Sequence, residues 1–180
     1  MSNVNDILIA GFGGQGILFA GKLLAYFGLL SGKEVSWLPS YGPAMRGGTC
    51  NCSVCVSDAP IGSPLVLHPN LLIVMNTPSY NKFIGAVKKG GKVFVDSTLV
   101  DSDIQADEGV ERFDIPATKL ALENELKGMA NIIMLGKLLK ETKFAPDETV
   151  EQALRAVIPK SKEHLFDLNL KALRIGIDYL

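Results

Sequence analysis

The chain has 180 residues, with 18 Lys and Arg against 19 Asp and Glu and a formal net charge of -1. No cationic surplus is left to grip a phosphate backbone, which argues against a nucleic-acid partner. Hydrophobic residues make up 47% and the mean hydropathy is +0.23, apolar for a domain in water and consistent with surface hidden against partners. The longest apolar stretch, Ile17 to Leu30, is too short to span a bilayer and carries Lys22, so no membrane segment is expected. Met1 to Asp6 has no positive charge of the kind that opens a secretory leader. Cys50, Cys52 and Cys55 are the 3 cysteines. An odd count gives no disulfide framework and fits a reducing cytoplasm. The length is that of one domain over residues 1–180.

Strand and helix patterns alternate along the chain. Asp6–Ala10 reads as a buried strand, Gly14–Ser31 as a helix, and Glu34–Leu38 as a strand after a turn at Gly32. Thr49–Ser57 and Leu71–Met75 read as strands, followed by a helix over Pro78–Lys88 that Gly90 and Gly91 break. Lys92–Asp96 and Val110–Asp114 are the next strands, with an acidic surface excursion over Asp101–Glu111 between them. Pro116 suits a first helical residue, since its fixed φ fits there and its missing donor goes unused. Helical periodicity covers much of Thr118–Lys140, Asp147–Ala156 and Lys162–Asp178. This alternation predicts an α/β fold, a three-layer Rossmann-like sheet with helices on both faces, in a single domain. The first helix is apolar nearly all round, so burial by its own sheet and by another subunit is expected.

Gly11, Gly13 and Gly16 have the spacing G-x-G-x-x-G between a predicted strand and a predicted helix. Backbone donors at such a helix start favour an anion, and glycines allow a phosphate to approach closely. The acid that would bind a dinucleotide ribose at the end of the second strand is missing, for that region reads Val35-Ser36-Trp37-Leu38-Pro39. Anion binding and a purely structural turn both stay open. The segment Ser40 to Thr49 reads as a loop that presents Arg46, either to a carboxylate or phosphate or simply to water. The cysteines read C-x-C-x-x-C, but on a strand Cys50 and Cys52 point one way and Cys55 the other, which makes them core residues rather than metal ligands. Asp96-Ser97-Thr98 is either a ligand-reaching edge or a turn, and Asn131 is either buried or turned toward a partner. No nucleophile and base fall into a catalytic set.

Three stretches together, GFGGQGILFAGKLLA, WLPSYGPAMRGGTCNCSVCVSDAPIGSP and ANIIMLGKLL, strongly resemble the gamma subunit of the CoA-acylating 2-oxoacid:ferredoxin oxidoreductases, with the 2-oxoglutarate members most alike. The resemblance implies an oxidative decarboxylation in which 2-oxoacid, CoA and oxidised ferredoxin give acyl-CoA, carbon dioxide and reduced ferredoxin. It implies alpha and beta subunits that hold thiamine diphosphate and Mg, a ferredoxin-like delta subunit, and iron–sulfur clusters outside this chain. The gamma unit would bind no cofactor tightly by itself, would carry no catalytic residue, and would help form the CoA site; isolated, it could pair with itself. Carried over by position, Gly11, Gly13, Gly14, Gln15 and Gly16 would face ligand or interface. Tyr41, Gly42, Met45, Arg46, Gly47, Gly48 and Thr49 would form the loop turned to the catalytic subunits, with Arg46 on a CoA phosphate or a partner's acid. The rival readings are a stand-alone nucleotide-binding oxidoreductase and a ligand-free dimer module.

Overall fold

In the computed structural model, which describes residues 4–42, 47–101, 105, 106 and 108–180, the first strand β1 (Val4–Phe12) sets the architecture. Ile7 and Ile9 are buried in one core and Leu8 and Ala10 in another, so both faces of the strand are apolar, as a central strand between two layers requires. β4 (Leu71–Val74) and β5 (Lys92–Asp96) are buried in the same way. Each fully buried Ile or Leu contributes about 1.5–3 kcal/mol relative to exposure.

The sheet has six strands in the order β2-β3-β1-β4-β5-β6, with β2 (Glu34–Tyr41), β3 (Thr49–Ser57) and β6 (Glu111–Ile115) completing it. β1, β4, β5 and β6 pair parallel, while β3 runs antiparallel to both neighbours. The chain therefore leaves β1, passes through α1 (Ile17–Leu30) to β2 at the sheet edge, and returns as β3 into the gap beside β1. It then crosses to β4 on the other side.

The predicted helices on both faces are present, unequally. One face carries α1, α3 (Ala117–Glu123), α4 (Ala130–Thr142), α5 (Asp147–Val157) and α6 (Phe166–Asp178). The other carries α2 (Thr77–Phe83), a 3₁₀ turn over Ile84–Ala86, and the connection leading into β4, with Tyr80 and Val66 buried against the strands. The all-round apolar character of α1 has an internal explanation: Val150, Ala153 and Leu154 of α5 join its outer side to the main core. Leu29 and Leu30, at the end of the helix, remain exposed.

Several boundaries move from those expected. β2 runs on through Pro39 to Tyr41, an edge position where the missing donor is tolerated. The helical pattern over Thr118–Lys140 is two helices, interrupted where Glu125 (φ 61) and Gly128 (φ 84) take left-handed backbone. The last helical pattern begins instead as a 3₁₀ segment, Lys160–Leu165, before α6. The acidic stretch ends earlier, since Glu111 already belongs to β6; its residues 102–104 and 107 lie outside the described ones. Among the described residues no helix is long and apolar enough to cross a membrane.

Candidate functional site

The glycine turn leaves the carboxyl end of β1, beside the carboxyl end of β4, where the connections diverge to opposite sides of the sheet. Crevices at such a point are where open α/β sheets bind ligands. Gly14 and Gly16 have φ of 104 and 74, left-handed values that favour glycine. At Gly16 a Cβ would lie 2.4 Å from Asn131 Nδ2, and at Gly11 it would meet Gln15 Oε1 at 2.6 Å. Around Gly14 nothing stands within 4 Å of an added Cβ, so that residue faces open space. Gly16 caps α1 with no side-chain hydrogen bond, leaving the first helical N–H groups without an intrahelical partner.

Gln15 holds the turn to β4. Its Oε1 accepts from the Phe12 N–H at 2.6 Å and from Asn76 Nδ2 at 3.1 Å, and its Nε2 donates to the Met75 carbonyl at 2.8 Å. Asn76 Oδ1 in turn accepts from the Ser79 N–H and caps α2. Sequence reasoning missed Asn76, although Asn before Thr77-Pro78 carries the signature of a helix start.

The turn and the loop meet. The Gly13 N–H donates to the Gly48 carbonyl at 2.9 Å and the Gly47 N–H donates back to Gly13 at 3.2 Å. Thr49 opens β3 opposite Phe12, and Tyr41 and Gly42 lie across from Cys50 and Thr49. Gly13, Gly47, Gly48 and Thr49 are thus one bonded surface, with Tyr41 half exposed at its margin, while Gly11 is buried. Met45 and Arg46 lie outside the described residues. The third recognised stretch also arrives here, for Asn131 at the start of α4 donates from Nδ2 to the Gly16 carbonyl at 3.0 Å.

A cleft of about 280 Å³ opens beside Gly14 and Gln15, walled by Met75, Leu99, Ala121 and Leu122. Thr118 also lines it, but its hydroxyl donates to Asp96 Oδ2 at 2.5 Å. Asp96 is fully buried and also accepts from the Thr98 and Thr118 N–H groups. Its carboxylate is committed to the turn and the start of α3, which settles the Asp96-Ser97-Thr98 alternatives in favour of a turn.

The strand order gives the reason that the ribose acid is missing. In a dinucleotide fold the second strand lies beside the first and brings its acid next to the glycine turn. Here β3 occupies that place, and its amino-terminal end delivers Gly47, Gly48 and Thr49 to the turn instead. Glu34 stands at the far end of β2, on the sheet edge.

The cysteines divide between two layers, Cys50 and Cys52 in one core and Cys55 in the other. Burial pushes all three thiols above their ordinary value, and the charge of Cys50 adds to burial in taking Cys52 to about 12. Thiols facing opposite sides of a sheet do not fit an iron–sulfur cluster, which needs several thiolates converging. Folded Cys52 keeps its proton between about pH 9 and 12, where the unfolded thiol has lost it. Stability is therefore expected to fall as pH rises through that window, by about 1.4 kcal/mol per unit. Urea denaturation at pH 8 and 10.5 measures it; the pH slope should shrink in Cys52→Ala.

The comparisons agree with this geometry. Residues 6–179 match the family described as pyruvate ferredoxin/flavodoxin oxidoreductase. The 2-oxoglutarate synthase subunit KorC of Methanocaldococcus jannaschii is 38% identical over 175 residues, 96% of this chain and 92% of that protein. The ketoisovalerate oxidoreductase subunit VorA of Methanothermobacter marburgensis is 37% identical over 174 residues, 96% of this chain but 36% of that protein, so the chain spans about a third of its length. Among solved structures, the keto/oxoacid ferredoxin oxidoreductase gamma subunit of Geobacter sulfurreducens superposes with a TM-score of 0.81 at 27% identity, covering 97% of this chain and 96% of that one. The chain belongs to the pyruvate ferredoxin/flavodoxin oxidoreductase family.

Proposed function

We propose that this chain is the gamma-type subunit of a cytoplasmic, multi-subunit 2-oxoacid:ferredoxin oxidoreductase, with 2-oxoglutarate as the substrate of the complex. Its partners in this reading are alpha and beta subunits, a ferredoxin-like delta subunit and ferredoxin. The observation that carries the proposal is the reciprocal pair of hydrogen bonds between Gly13 and the Gly47-Gly48 segment. Two motifs far apart in sequence form one surface at the carboxyl end of the parallel strands, with an uncapped helix start beneath it. Such a start suits the phosphates of CoA or a partner's carboxylate. Among the described residues no three His, Cys, Asp or Glu side chains converge to hold a metal ion, and the divided cysteines do not fit a cluster. In this reading the partner subunits hold the thiamine diphosphate that supplies the decarboxylation chemistry and the iron–sulfur clusters that take up the electrons. The role of this chain is to shape the approach of CoA and to hold the assembly.

Native capture of the chain from its own cells, followed by mass spectrometry, tests the reading. A thiamine-dependent pair and a ferredoxin-like chain are expected alongside it; capture of the chain without such partners overturns the proposal. In the assembled complex, Arg46→Ala is expected to raise the KM for CoA or to weaken assembly by 10- to 100-fold, on the order of the 1.5–3 kcal/mol of a charge-assisted hydrogen bond. Unchanged CoA kinetics in an intact complex would remove the loop from the CoA site.

A further inference from the structure

The solvent side of α1 is unusually apolar for a helix at the margin of a sheet. Lys22 is the one charged side chain among its 14 residues. α5 covers only part of the outer side, and Leu18, Phe19, Lys22, Tyr26, Leu29 and Leu30 are left partly or largely exposed. At 3.6 residues per turn those positions share about a third of the helix circumference. Leu29 is 57% exposed and Leu30 39%. Trp37 and Val35 of β2 extend the face, for they stand beside α1 where a Cβ on Gly21 or Gly28 would come within 3.0 Å of them. Trp37 is itself 39% exposed. A solvated helix carries polar residues on such a face, and a contiguous apolar one marks an interaction surface.

The order of the six helical residues indicates what covers it. Leu18 and Leu30 stand six residues either side of Leu24, Phe19 and Leu29 five, and Lys22 and Tyr26 two. A second copy of α1, laid antiparallel across a two-fold axis at the height of Leu24, therefore sets each of them against its opposite number. That reciprocity is what a closed two-fold contact requires. Leucine falls on leucine at both ends, Phe19 on Leu29, and the one cation on the one tyrosine of the helix. Lys22 already lies 6.0 Å from the ring centroid of its own Tyr26, the outer limit of a cation–π attraction. In the pair each ammonium gains a second ring. No carboxylate lies among these residues, so the face offers nothing to a basic partner.

We infer that the chain forms a two-fold dimer through α1, the two helices antiparallel, with Trp37 at the margin of the contact. A helix of 14 residues is about 21 Å long. The contact is therefore small and the dimer reversible, with a dissociation constant of about 1–100 µM. The inference stands apart from the proposed subunit role, because it concerns the chain on its own.

Sedimentation velocity on the purified full chain, across about 1–200 µM, tests it. A reversible monomer–dimer equilibrium is expected. Lys22→Glu sets a carboxylate against the second copy's ring, and L29E/L30E sets charge on the apolar ends; each should weaken dimerisation at least tenfold. These three side chains are exposed, so both variants are expected to fold and to keep the wild-type circular dichroism. L65E/L67E is the control, for those exposed leucines lie on the connection that covers the opposite face of the sheet, and it should dimerise as the wild type does. A chain that stays monomeric throughout overturns the inference. If Lys22→Glu and L29E/L30E then also lose their partners on capture from cells, the face belongs to a different subunit. A dimer that both variants leave intact overturns it as well, and so does an assembly larger than two.

Discussion

Gly176→Val is expected to leave the chain unable to fold. α4 and α6 cross with their backbones in contact at Gly136 and Gly176. A Cβ on Gly176 would stand 2.0 Å from the Ile133 carbonyl oxygen, and one on Gly136 would stand 2.1 Å from that of Leu173. The obstructing atoms are main-chain, so no rotamer change relieves the overlap, and the helices must separate. Separation opens the core around Ile133, Leu173 and Ala172, all fully buried, and loosens Lys137, whose Nζ lies 2.8 Å from Glu141 and donates to the Tyr179 carbonyl. A cost of more than about 4 kcal/mol follows, against a total stability of roughly 5–15 kcal/mol for a domain. Urea denaturation followed by circular dichroism measures it, with Gly176→Ala as the milder probe. Gly32→Ala is the control: φ is +70 there but nothing lies within 4 Å, so about 1 kcal/mol is expected. A Gly176→Val chain with the wild-type midpoint would mean that α4 and α6 do not cross at these glycines.

Gln15→Leu should produce the second large effect, divided between stability and function. Leucine fills similar space but leaves the Phe12 N–H, the Met75 carbonyl and Asn76 Nδ2 without the partners that Gln15 now provides. Partly buried groups stranded in this way cost about 1–3 kcal/mol each before water reaches them. A net loss of roughly 3 kcal/mol, or about 6–12 °C in Tm for a chain of this size, is expected. The turn would also drift from β4, moving Gly13 away from Gly47 and Gly48. If that surface shapes the approach of CoA, the assembled complex should lose at least tenfold in kcat/KM for CoA at a temperature where the variant is still folded. A variant with lowered Tm and wild-type CoA kinetics would confine Gln15 to a structural role.

Much of the architecture was legible because its causes are local. The bounds of β3 and β5 follow from apolar runs enclosed by turn residues, and those of β1 and α1 shift by a few residues at each end. The division of the cysteines between two faces followed from the two-residue repeat of a strand. Where local signals compete, the reading failed. Periodicity ran straight through Glu125 to Gly128, although Gly128 was a visible helix-stop residue, because the apolar spacing on both sides shares a phase. Asn131 could be read as buried or outward, since an amide among apolar residues carries no sign of what it will bond.

The glycine turn marks the division most clearly. Residue order alone determined that a strand ends at a flexible turn and that a helix begins after it, since these depend on side chains within a few positions and on the φ that glycine permits. It also showed, through Val35 to Pro39, that no acid waits at the end of the second strand. The use of the vacant place was decided by the tertiary structure. β3 inserts antiparallel between β1 and β2, brings Gly47 and Gly48 against Gly13, and closes the position a ribose would take. The contacts between Gly136 and Gly176, and between Gln15 and Met75, join residues 40 and 60 positions apart. Strand direction and helix crossings are chosen by how whole faces pack, an energy summed over residues distant in the chain.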